Sequence, residues 1–358
     1  MEGYCSGGLG LFERKKRSLK TAFITGVTGQ DGSYLTKNLL EKGYRVIGGH
    51  RRSSTTDLTG LNFLGVSKHP NLELVEHDVA DLPSSIRALQ KYRPSEVYNL
   101  AAQSFIGASF DQPNTTAQVT GIGPVNLLEA IRMTDLSIKF FQAGSSEMFG
   151  EVENDLQSEE TSFIPRSPYG ASKLFAHWMT VNYRDSHGIF GSSGILFNHE
   201  SPLRGKEFVT RKITDAVARI HLGSKEVVTL GNLDALRDWG FAEEFVEGMW
   251  RMLQTETPDT FVLATGKRTS VRDFLRLAFG SVGIELDFEG QATNEIARNR
   301  KNGEIVVRVD GEFYRPNEPH TLCGDPSKAK ELLGWQPSFS VEELATLMVE
   351  ADINANKN

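Results

Sequence analysis

The chain has 358 residues, enough for one large domain or two, and its 39% hydrophobic and 24% charged content is ordinary for a globular protein. Its net charge of -7, with no basic stripe, argues against nucleic acid as a partner. No apolar run is long enough to span a bilayer and the start lacks a signal-peptide core, so we predict a cytoplasmic protein with no membrane partner. Cys5 and Cys323 fit a reducing compartment, and because neither has metal-ligand spacing no metal site is predicted.

Residues 1–19 combine glycines with a basic run and are predicted to be a flexible extension. From Lys20 onward, short β-rich segments alternate with longer amphipathic ones, a pattern typical of parallel strands connected by helices. The predicted strands are TAFIT, YRVIGG, LELVEH, EVYNLA, KFFQAG and SSGILFN, the last of which is expected to complete the sheet. The pattern predicts an α/β fold with a Rossmann-type, doubly wound parallel sheet.

After NHESPLRG the order of elements becomes mixed, which indicates a smaller mixed α/β C-terminal lobe. FVTRKITDAVARIHLG and RDWGFAEEFV are predicted helices, and the second is expected to pack back on the sheet. We therefore predict a Rossmann domain of residues 20–197, with about 233–263 added to it, and a lobe of residues 198–232 and 264–358.

The segment TGVTGQDG ends the first strand and places Gly26, Gly29 and Gly32 three apart where a helix begins. Glycine allows a tight turn there and lets a pyrophosphate approach the amides at the helix start. The GxxGxxG spacing is typical of short-chain dehydrogenases, and its position after the first strand favours a cofactor turn over the alternative of a plain strand-helix turn.

The second strand ends in GGHRRSS, where Arg51 and Arg52 offer donors to a phosphate and no carboxylate is present. A carboxylate there would bind the ribose of NAD, so the arginines favour NADP; the alternative is a solvated basic turn. Asp78 after the third strand could meet the adenine, and the small residues Leu100 to Ser104 could let the cofactor lie close. Taken singly, these last features are better explained as structural.

Tyr169 and Lys173 in SPYGASK stand four apart, which places both on one face of a helix. A lysine ammonium is expected to lower the pKa of the phenol and make it a usable base on an alcohol. Ser145, at the end of the preceding strand, can orient the same alcohol. These three residues would suffice for a simple dehydrogenase.

Glu147 adds a second base beside that hydroxyl in GSSEMFG. Oxidising one carbon of a sugar acidifies the hydrogen on its neighbour, so a carboxylate there could remove it and expel a hydroxyl from the next carbon. With the hydride returned, the net reaction is a dehydration. The alternative is that Glu147 caps a loop in solvent.

Together these motifs resemble the GDP-mannose 4,6-dehydratase family of the extended short-chain dehydrogenase/reductase superfamily. The resemblance runs from about Lys20 to VEAD and rests on TGVTGQDGSYL, RRSS, YNLAAQSF, SSEMFG, PRSPYGASKL, ILFNHESPLRG, FVTRKI, LGNLDALRDWG and YRPNE. It implies a hydro-lyase that holds NADP and converts GDP-mannose to GDP-4-dehydro-6-deoxy-D-mannose, the first step towards GDP-fucose. It also implies a homotetramer in which the arginine-serine loop reaches a neighbouring subunit.

The resemblance assigns a role to individual residues. It implies that the catalytic residues are Ser145, Glu147, Tyr169 and Lys173. It implies cofactor contacts at Gly26, Val27, Thr28, Gly29, Gln30, Asp31, Gly32, Arg51, Arg52, Asp78, Val79, Leu100, Ala101, Ala102, Gln103, Ser104, Tyr169, Lys173, His199 and Arg204. It implies that the GDP-sugar is bound by Ser104, Ser145, Glu147, Asn198, Val209, Lys212, Arg237, Arg315 and Glu318. The family usually has threonine where this chain has Ser145, and because the hydroxyl is kept we expect its hydrogen bond to be kept.

Two other functions compete with this interpretation. A reductase or epimerase of a nucleotide 4-ketosugar would use Tyr169 and Lys173 without needing Glu147. A non-catalytic NADP-binding regulator would keep the glycine turn but would have no use for the bases.

Overall fold

The computed structural model describes residues 19–151, 155–313 and 321–357. Its strands are β1 (Thr21–Thr25), β2 (Arg45–His50), β3 (Leu72–Glu76), β4 (Glu96–Asn99), β5 (Lys139–Ala143), β6 (Gly191–Leu196), β7 (Asn198–Glu200), β8 (Val228–Leu230), β9 (Leu236–Arg237), β10 (Trp239–Phe241), β11 (Thr260–Leu263), β12 (Thr269–Ser270), β13 (Leu286–Glu289), β14 (Ile296–Asn299), β15 (Ile305–Val309) and β16 (Thr321–Leu322).

The α-helices are α1 (Gln30–Glu41), α2 (Thr59–Phe63), α3 (Leu82–Tyr92), α4 (Ile106–Asp111), α5 (Pro113–Thr116), α6 (Gly123–Thr134), α7 (Pro168–His187), α8 (Val209–His221), α9 (Ala242–Met252), α10 (Val271–Gly280), α11 (Ser327–Leu333) and α12 (Val341–Asn356). A π-helical segment, Ala117–Ile122, leads into α6, and 3-10 turns cover Ser146–Met148, Ala292–Asn294 and Gly311–Phe313. Among the described residues, no helix combines the length and the apolar character needed to cross a membrane.

A seven-stranded parallel sheet in the order β11-β6-β5-β4-β1-β2-β3 forms the centre of the fold. Its central strands are buried on both faces, which is why TAFIT and KFFQA are nearly continuous apolar runs. One face packs on α1 and α9 through side chains such as Leu35 and Phe245, and the other packs on α3 and α6 through Leu89 and Leu127. The doubly wound α/β fold is therefore confirmed.

The sheet is wider than the sequence indicated. The run SSGILFN was expected to complete it, but β11 pairs in parallel with β6 and extends the edge by one strand. This prediction was wrong because the four residues TFVL are too short to distinguish from a buried loop by pattern alone.

The segment RDWGFAEEFV is helical only from Ala242 onward. Before that residue, Trp239 to Phe241 pair with Asn198 to Glu200 as strand β10, so the predicted helix began too early. Asp238 explains the extended backbone, because its buried carboxylate accepts hydrogen bonds from the backbone N–H groups of Thr265, Gly266 and Gly324. Those contacts require the chain to pass beside two loops instead of coiling.

A second core lies beyond the parallel sheet. The mixed sheet β13-β14-β15-β8 packs against α8, α10 and α12, with Val217, Phe274, Val307 and Val349 in its interior. This mixed α/β lobe faces the carboxyl ends of the parallel strands, where ligands bind in sheets of this kind.

The first strand-to-helix turn depends on close packing at Gly32, in the first turn of α1. A Cβ atom at that position would lie 2.6 Å from the Cα of Val27 and closer still to the carbonyl oxygen of Gly26. Only glycine lets the helix start sit this close to the turn.

Replacing Gly32 with alanine is therefore expected to lower the free energy of unfolding by roughly 1–3 kcal/mol or more, as overpacking does. The measurement is chemical denaturation followed by circular dichroism. Gly280→Ala, where a Cβ would meet nothing within 4 Å, is the matched control and should leave stability unchanged or slightly raised. Equal stability of the two variants would contradict the packing argument.

Candidate active site

A cleft of about 730 Å³ opens where β1, β4, β5 and β6 end. Most of the predicted site residues line it, although they come from segments as much as 200 residues apart. Those that line it are Gly26, Thr28, Gly29, Gln30, Asp31, Gly32, Arg51, Val79, Leu100, Ala101, Ala102, Gln103, Ser104, Ser145, Glu147, Tyr169, Lys173, Asn198, His199, Arg204, Val209 and Arg237.

Four of the predicted residues that the structure describes do not line the cleft. Val27 is fully buried in the core beneath the turn. Arg52 is 85% exposed and lies 3.9 Å from Glu76, and the Asp78 carboxylate accepts a hydrogen bond from the Ala80 N–H at 2.9 Å. The ammonium of Lys212 lies 4.0 Å from the centre of the Phe313 ring. Arg315 and Glu318 lie outside the described residues.

An ion pair connects the start of α1 to β7. Asp31 in the first turn of α1 and His199 in β7 are joined by an Oδ2 to Nε2 distance of 2.9 Å. The other ring nitrogen, Nδ1, lies 2.7 Å from the carbonyl oxygen of Phe197, so both nitrogens face acceptors and the imidazole is held as a cation. Gln30 joins the pair by donating from Nε2 to Asp31 and to the His199 carbonyl.

The pair shifts the pKa values of both groups in opposite directions. Burial opposes the charge on each group, but the pairing outweighs it, so the pKa of Asp31 falls to about 2 and the pKa of His199 rises. Both groups therefore stay charged to a higher pH than an unpaired histidine would allow.

Helix α7 positions the tyrosine and the lysine. Ser167 caps its start by accepting a hydrogen bond from the Gly170 N–H at 3.0 Å, and Pro168 occupies the first turn. Tyr169 and Lys173 then lie one turn apart, both buried. The Lys173 ammonium donates to the carbonyl oxygen of Ala143, the last residue of β5, at 2.7 Å.

The expected activation of the phenol is not what this structure shows. Burial raises the pKa of Tyr169 to about 12, against a hydrogen bond from Ser145 that favours the phenolate, while the negative charge of Glu147 raises it further. Burial also lowers the pKa of Lys173 to about 8. The prediction counted the lysine charge but not the cost of burying the phenolate.

Glu147 lies on the short turn that follows β5, partly buried and facing the cleft. Its N–H donates to the Ser145 hydroxyl at 3.2 Å, so the two side chains belong to one compact turn. Gly170 of α7 permits the approach of Tyr169 to this turn, because a Cβ there would lie 2.5 Å from the Glu147 carbonyl oxygen. Ser145 and Tyr169, which are predicted to act in the oxidation, therefore lie at the same end of the cleft as Glu147, which is predicted to act in the elimination.

Several lining residues were not found from the sequence. Gln112 and Thr115 precede the π-helical segment, Val119 lies within it, and the loop before α8 contributes Glu207 and Phe208. No catalytic or binding pattern in the sequence singled out these side chains, so their position in the fold reveals them.

The cleft lies at the carboxyl ends of a Rossmann-type sheet and carries the carboxylate of Glu147, and comparison with known structures supports this class of fold. The chain overlays on dTDP-glucose 4,6-dehydratase from Bacillus anthracis in complex with NAD, with a TM-score of 0.78, 17% identity and coverage of 94% of this chain and 98% of that one. It overlays on RMD from Pseudomonas aeruginosa complexed with NADPH with a TM-score of 0.73, 20% identity and coverage of 94% and 99%. At these identities the overlays establish the fold alone.

Sequence comparison is more specific. The profile of the family described as GDP-mannose 4,6 dehydratase matches residues 23–348. A GDP-mannose 4,6-dehydratase from Yersinia enterocolitica is 48% identical over 354 residues, covering 95% of each chain. This chain belongs to the GDP-mannose 4,6-dehydratase family.

The opposite pKa shifts of Asp31 and His199 define a pH window for their contribution to stability. Because pairing raises the pKa of His199, its contribution to the stability of the folded state is complete below pH 6.5, the usual pKa of histidine. That contribution is lost as the pH rises through the pKa of His199 in the folded state. The lowered pKa of Asp31 stabilises above 3.8 and is lost as the pH falls towards about 2.

We therefore expect His199→Gln to lower the unfolding temperature most between roughly pH 4 and 6.5 and less at higher pH. Thermal unfolding of both proteins across this range measures the difference. His221→Gln, on the exposed part of α8, is the control and should show no such window. A difference that grew steadily towards alkaline pH would contradict the assignment of a paired imidazolium.

Proposed function

We propose that this protein is a GDP-mannose 4,6-dehydratase, a hydro-lyase that converts GDP-mannose to GDP-4-dehydro-6-deoxy-D-mannose and water. The observation that carries the proposal is the convergence of Ser145, Glu147, Tyr169 and Lys173 on one end of the cleft. A dehydrogenase needs only three of these residues. Membership of the family supports GDP-mannose as the substrate. The position of Glu147 in the cleft supports a base for elimination in addition to the residues needed for oxidation.

The cleft fits a nicotinamide dinucleotide. The tight turn at Gly32 brings the start of α1 against the cleft, and no side chain caps the free N–H groups of that helix start. Such a helix start accommodates a pyrophosphate. When bound, an oxidised nicotinamide would supply a hydride acceptor for C4 of the sugar, a positive charge in the cleft before that transfer, and the hydride that is later returned to C6.

Arg51 supports NADP as the particular cofactor. It lies where β2 ends and it lines the cleft, whereas no carboxylate of β2 does so. A guanidinium at this position can bind the additional phosphate of NADP. Arg52 points to solvent and is assigned to the neighbouring-subunit contact that the family resemblance implies.

In the oxidation step, Tyr169 removes the proton of the C4 hydroxyl. Ser145 donates a hydrogen bond to the phenol and orients the substrate oxygen. Since burial holds the pKa of Tyr169 near 12 in this structure, deprotonation depends on positive charge at the site. Lys173 supplies part of it, and the lowered pKa of its ammonium leaves it able to hold or release a proton near neutrality.

In the elimination step, Glu147 removes the C5 proton, which the new C4 ketone has made acidic, and the C6 hydroxyl leaves with a proton as water. A proton then returns to C5 as the hydride returns to C6. The sugar is oxidised at C4 and reduced at C6, so there is no net redox change. The carboxylate faces the cleft beside Ser145, which supports its assignment as the base that acts on the carbon next to C4.

For the GDP moiety we propose Asn198, Val209, Lys212 and Arg237 among the described residues, with Arg315 and Glu318 beyond them. Arg237 is the last residue of β9, Asn198 is the first residue of β7, and both face the cleft. Guanidinium and ammonium groups suit a diphosphate. Residues 20–197 with 233–263 are proposed as the cofactor domain and 198–232 with 264–358 as the GDP-sugar lobe, a division that the pairing of β11 with β6 favours.

We also propose a cytoplasmic homotetramer acting in GDP-fucose biosynthesis. Phe175 and Trp178 are 44% and 50% exposed on one face of α7, and Ile122 is exposed nearby. Apolar side chains grouped in this way favour contact with another copy of the chain. Light scattering of the purified protein measures the size of the assembly. A monomeric mass would contradict the proposed tetramer.

The purified protein is expected to carry NADP and to convert GDP-mannose to a 4-keto product without consuming free cofactor, because the hydride is returned within each turnover. Product formation by mass spectrometry and bound nucleotide by chromatography measure this. Stoichiometric consumption of NADPH would instead indicate a reductase, and the absence of turnover would indicate a regulator.

Glu147→Gln is expected to reduce dehydration by at least roughly 100-fold, the usual effect of losing a general base, while binding of cofactor and GDP-mannose stays intact. Calorimetry with GDP-mannose and measured kcat separate the two. Glu207→Gln, a carboxylate of the same cleft outside the catalytic turn, is the control. Weak binding with normal turnover of the bound fraction would show that Glu147 is structural.

A further inference from the structure

The loop of residues 201–208 is the part of the cleft wall that connects the end of β7 to α8. It contributes Leu203, Arg204 and Phe208 to the cleft, and the guanidinium carbon of Arg204 lies 3.6 Å from the centre of the Phe208 ring. Few backbone hydrogen bonds hold the loop internally: Arg204 N–H donates to Ser201, and Phe208 N–H donates to Gly205. The position of Arg204 therefore depends on contacts from outside the loop.

The Arg204 side chain lies 3.2 Å from the buried Glu200 carboxylate of β7, and the backbone of the loop is held by Arg211, in the first turn of α8. Its Nη1 donates to the carbonyl oxygens of Pro202 and Arg204, the latter at 3.1 Å. One guanidinium end thus joins two carbonyl groups of the loop. The geometry of the loop is set by where this guanidinium is held.

Asp352 of α12 holds the other end. Its Oδ1 lies 2.8 Å from Nε and 2.6 Å from Nη2 of Arg211, and its Oδ2 accepts from the Thr214 hydroxyl at 2.8 Å. Asp352 is fully buried and Arg211 is only 12% exposed. A buried, multiply bonded pair of this kind fixes the orientation of the guanidinium far more tightly than a surface pair would.

A second connection between the C-terminal helix and the loop is weaker. Lys206 lies 3.0 Å from Asp215, which also accepts from Asn356 of α12, but the lysine is 64% exposed. Exposed pairs contribute little. The Asp352 pair is therefore the contact that transmits the position of α12 to the loop.

We propose that Asp352 is a positioning residue for the proposed dehydratase site: through Arg211 it fixes the loop that presents Arg204 to the cofactor. Asp352 does not line the cleft, so it acts only through Arg211. This inference rests on the proposed function for the identity of the ligands, but its test does not require turnover.

The test separates positioning from stability by replacing the whole buried pair. In Arg211→Met/Asp352→Leu, apolar side chains of similar size should keep the fold, because such replacements of buried ion pairs are often neutral. No donor then reaches the carbonyls of Pro202 and Arg204. We expect the unfolding temperature to stay unchanged and the dissociation constant for NADPH to rise roughly tenfold. NADH is titrated in parallel to test a cofactor without the additional phosphate.

Val349→Ala is the matched control, since it makes a cavity on the same helix away from the loop. It should lower the unfolding temperature and leave the NADPH dissociation constant within about twofold. If the double variant bound NADPH as well as the unmodified protein, or if Val349→Ala weakened binding equally, the positioning role would be overturned. A protein that binds NADPH but does not turn over GDP-mannose would refute the proposed function without affecting this test.

Discussion

The hydrogen bond between the Lys173 ammonium and the Ala143 carbonyl is the contact on which the site depends. It joins helix α7 to the last residue of β5 at 2.7 Å, with the ammonium buried. A buried ammonium must find an acceptor, so the helix cannot slide along the strand without leaving that charge unsatisfied. Tyr169, one turn earlier, and Ser145, two residues after Ala143, are consequently held in a fixed relation.

The remaining charges of the site are arranged around this contact. The Asp31–His199 pair ties the cofactor turn to β7, and the Arg211–Asp352 pair ties the loop after β7 to the C-terminal helix. Each pair is buried enough that breaking one partner leaves an uncompensated charge. Together they connect the parallel sheet to the lobe, which places a reaction requiring several bases in a cleft between two separately packed cores.

The sequence predicted the elements that carry their own periodicity. Strands such as TAFIT and KFFQA are recognisable because parallel strands are buried on both faces, and α7 because Ser167 and Pro168 mark its start. It did not predict β11, whose four residues give too short a pattern, or the extended backbone at Trp239, which follows from the bonds of Asp238 to distant loops. Such effects come from tertiary contacts that a local pattern does not contain.

By itself, the sequence determined the family, the parallel sheet and the identity of the reactive groups, because glycine spacing, helical spacing and the carboxylate beside Ser145 are local properties. Only the tertiary structure decided the ionisation of these groups. Burial raises the pKa of Tyr169 to about 12, whereas the neighbouring lysine alone had indicated a fall. The tertiary structure also shows that Asp352 contacts Arg211 directly, although the two residues are 141 positions apart in the sequence. The cost of burying a charge depends on everything packed around it, and no segment of sequence records that surrounding.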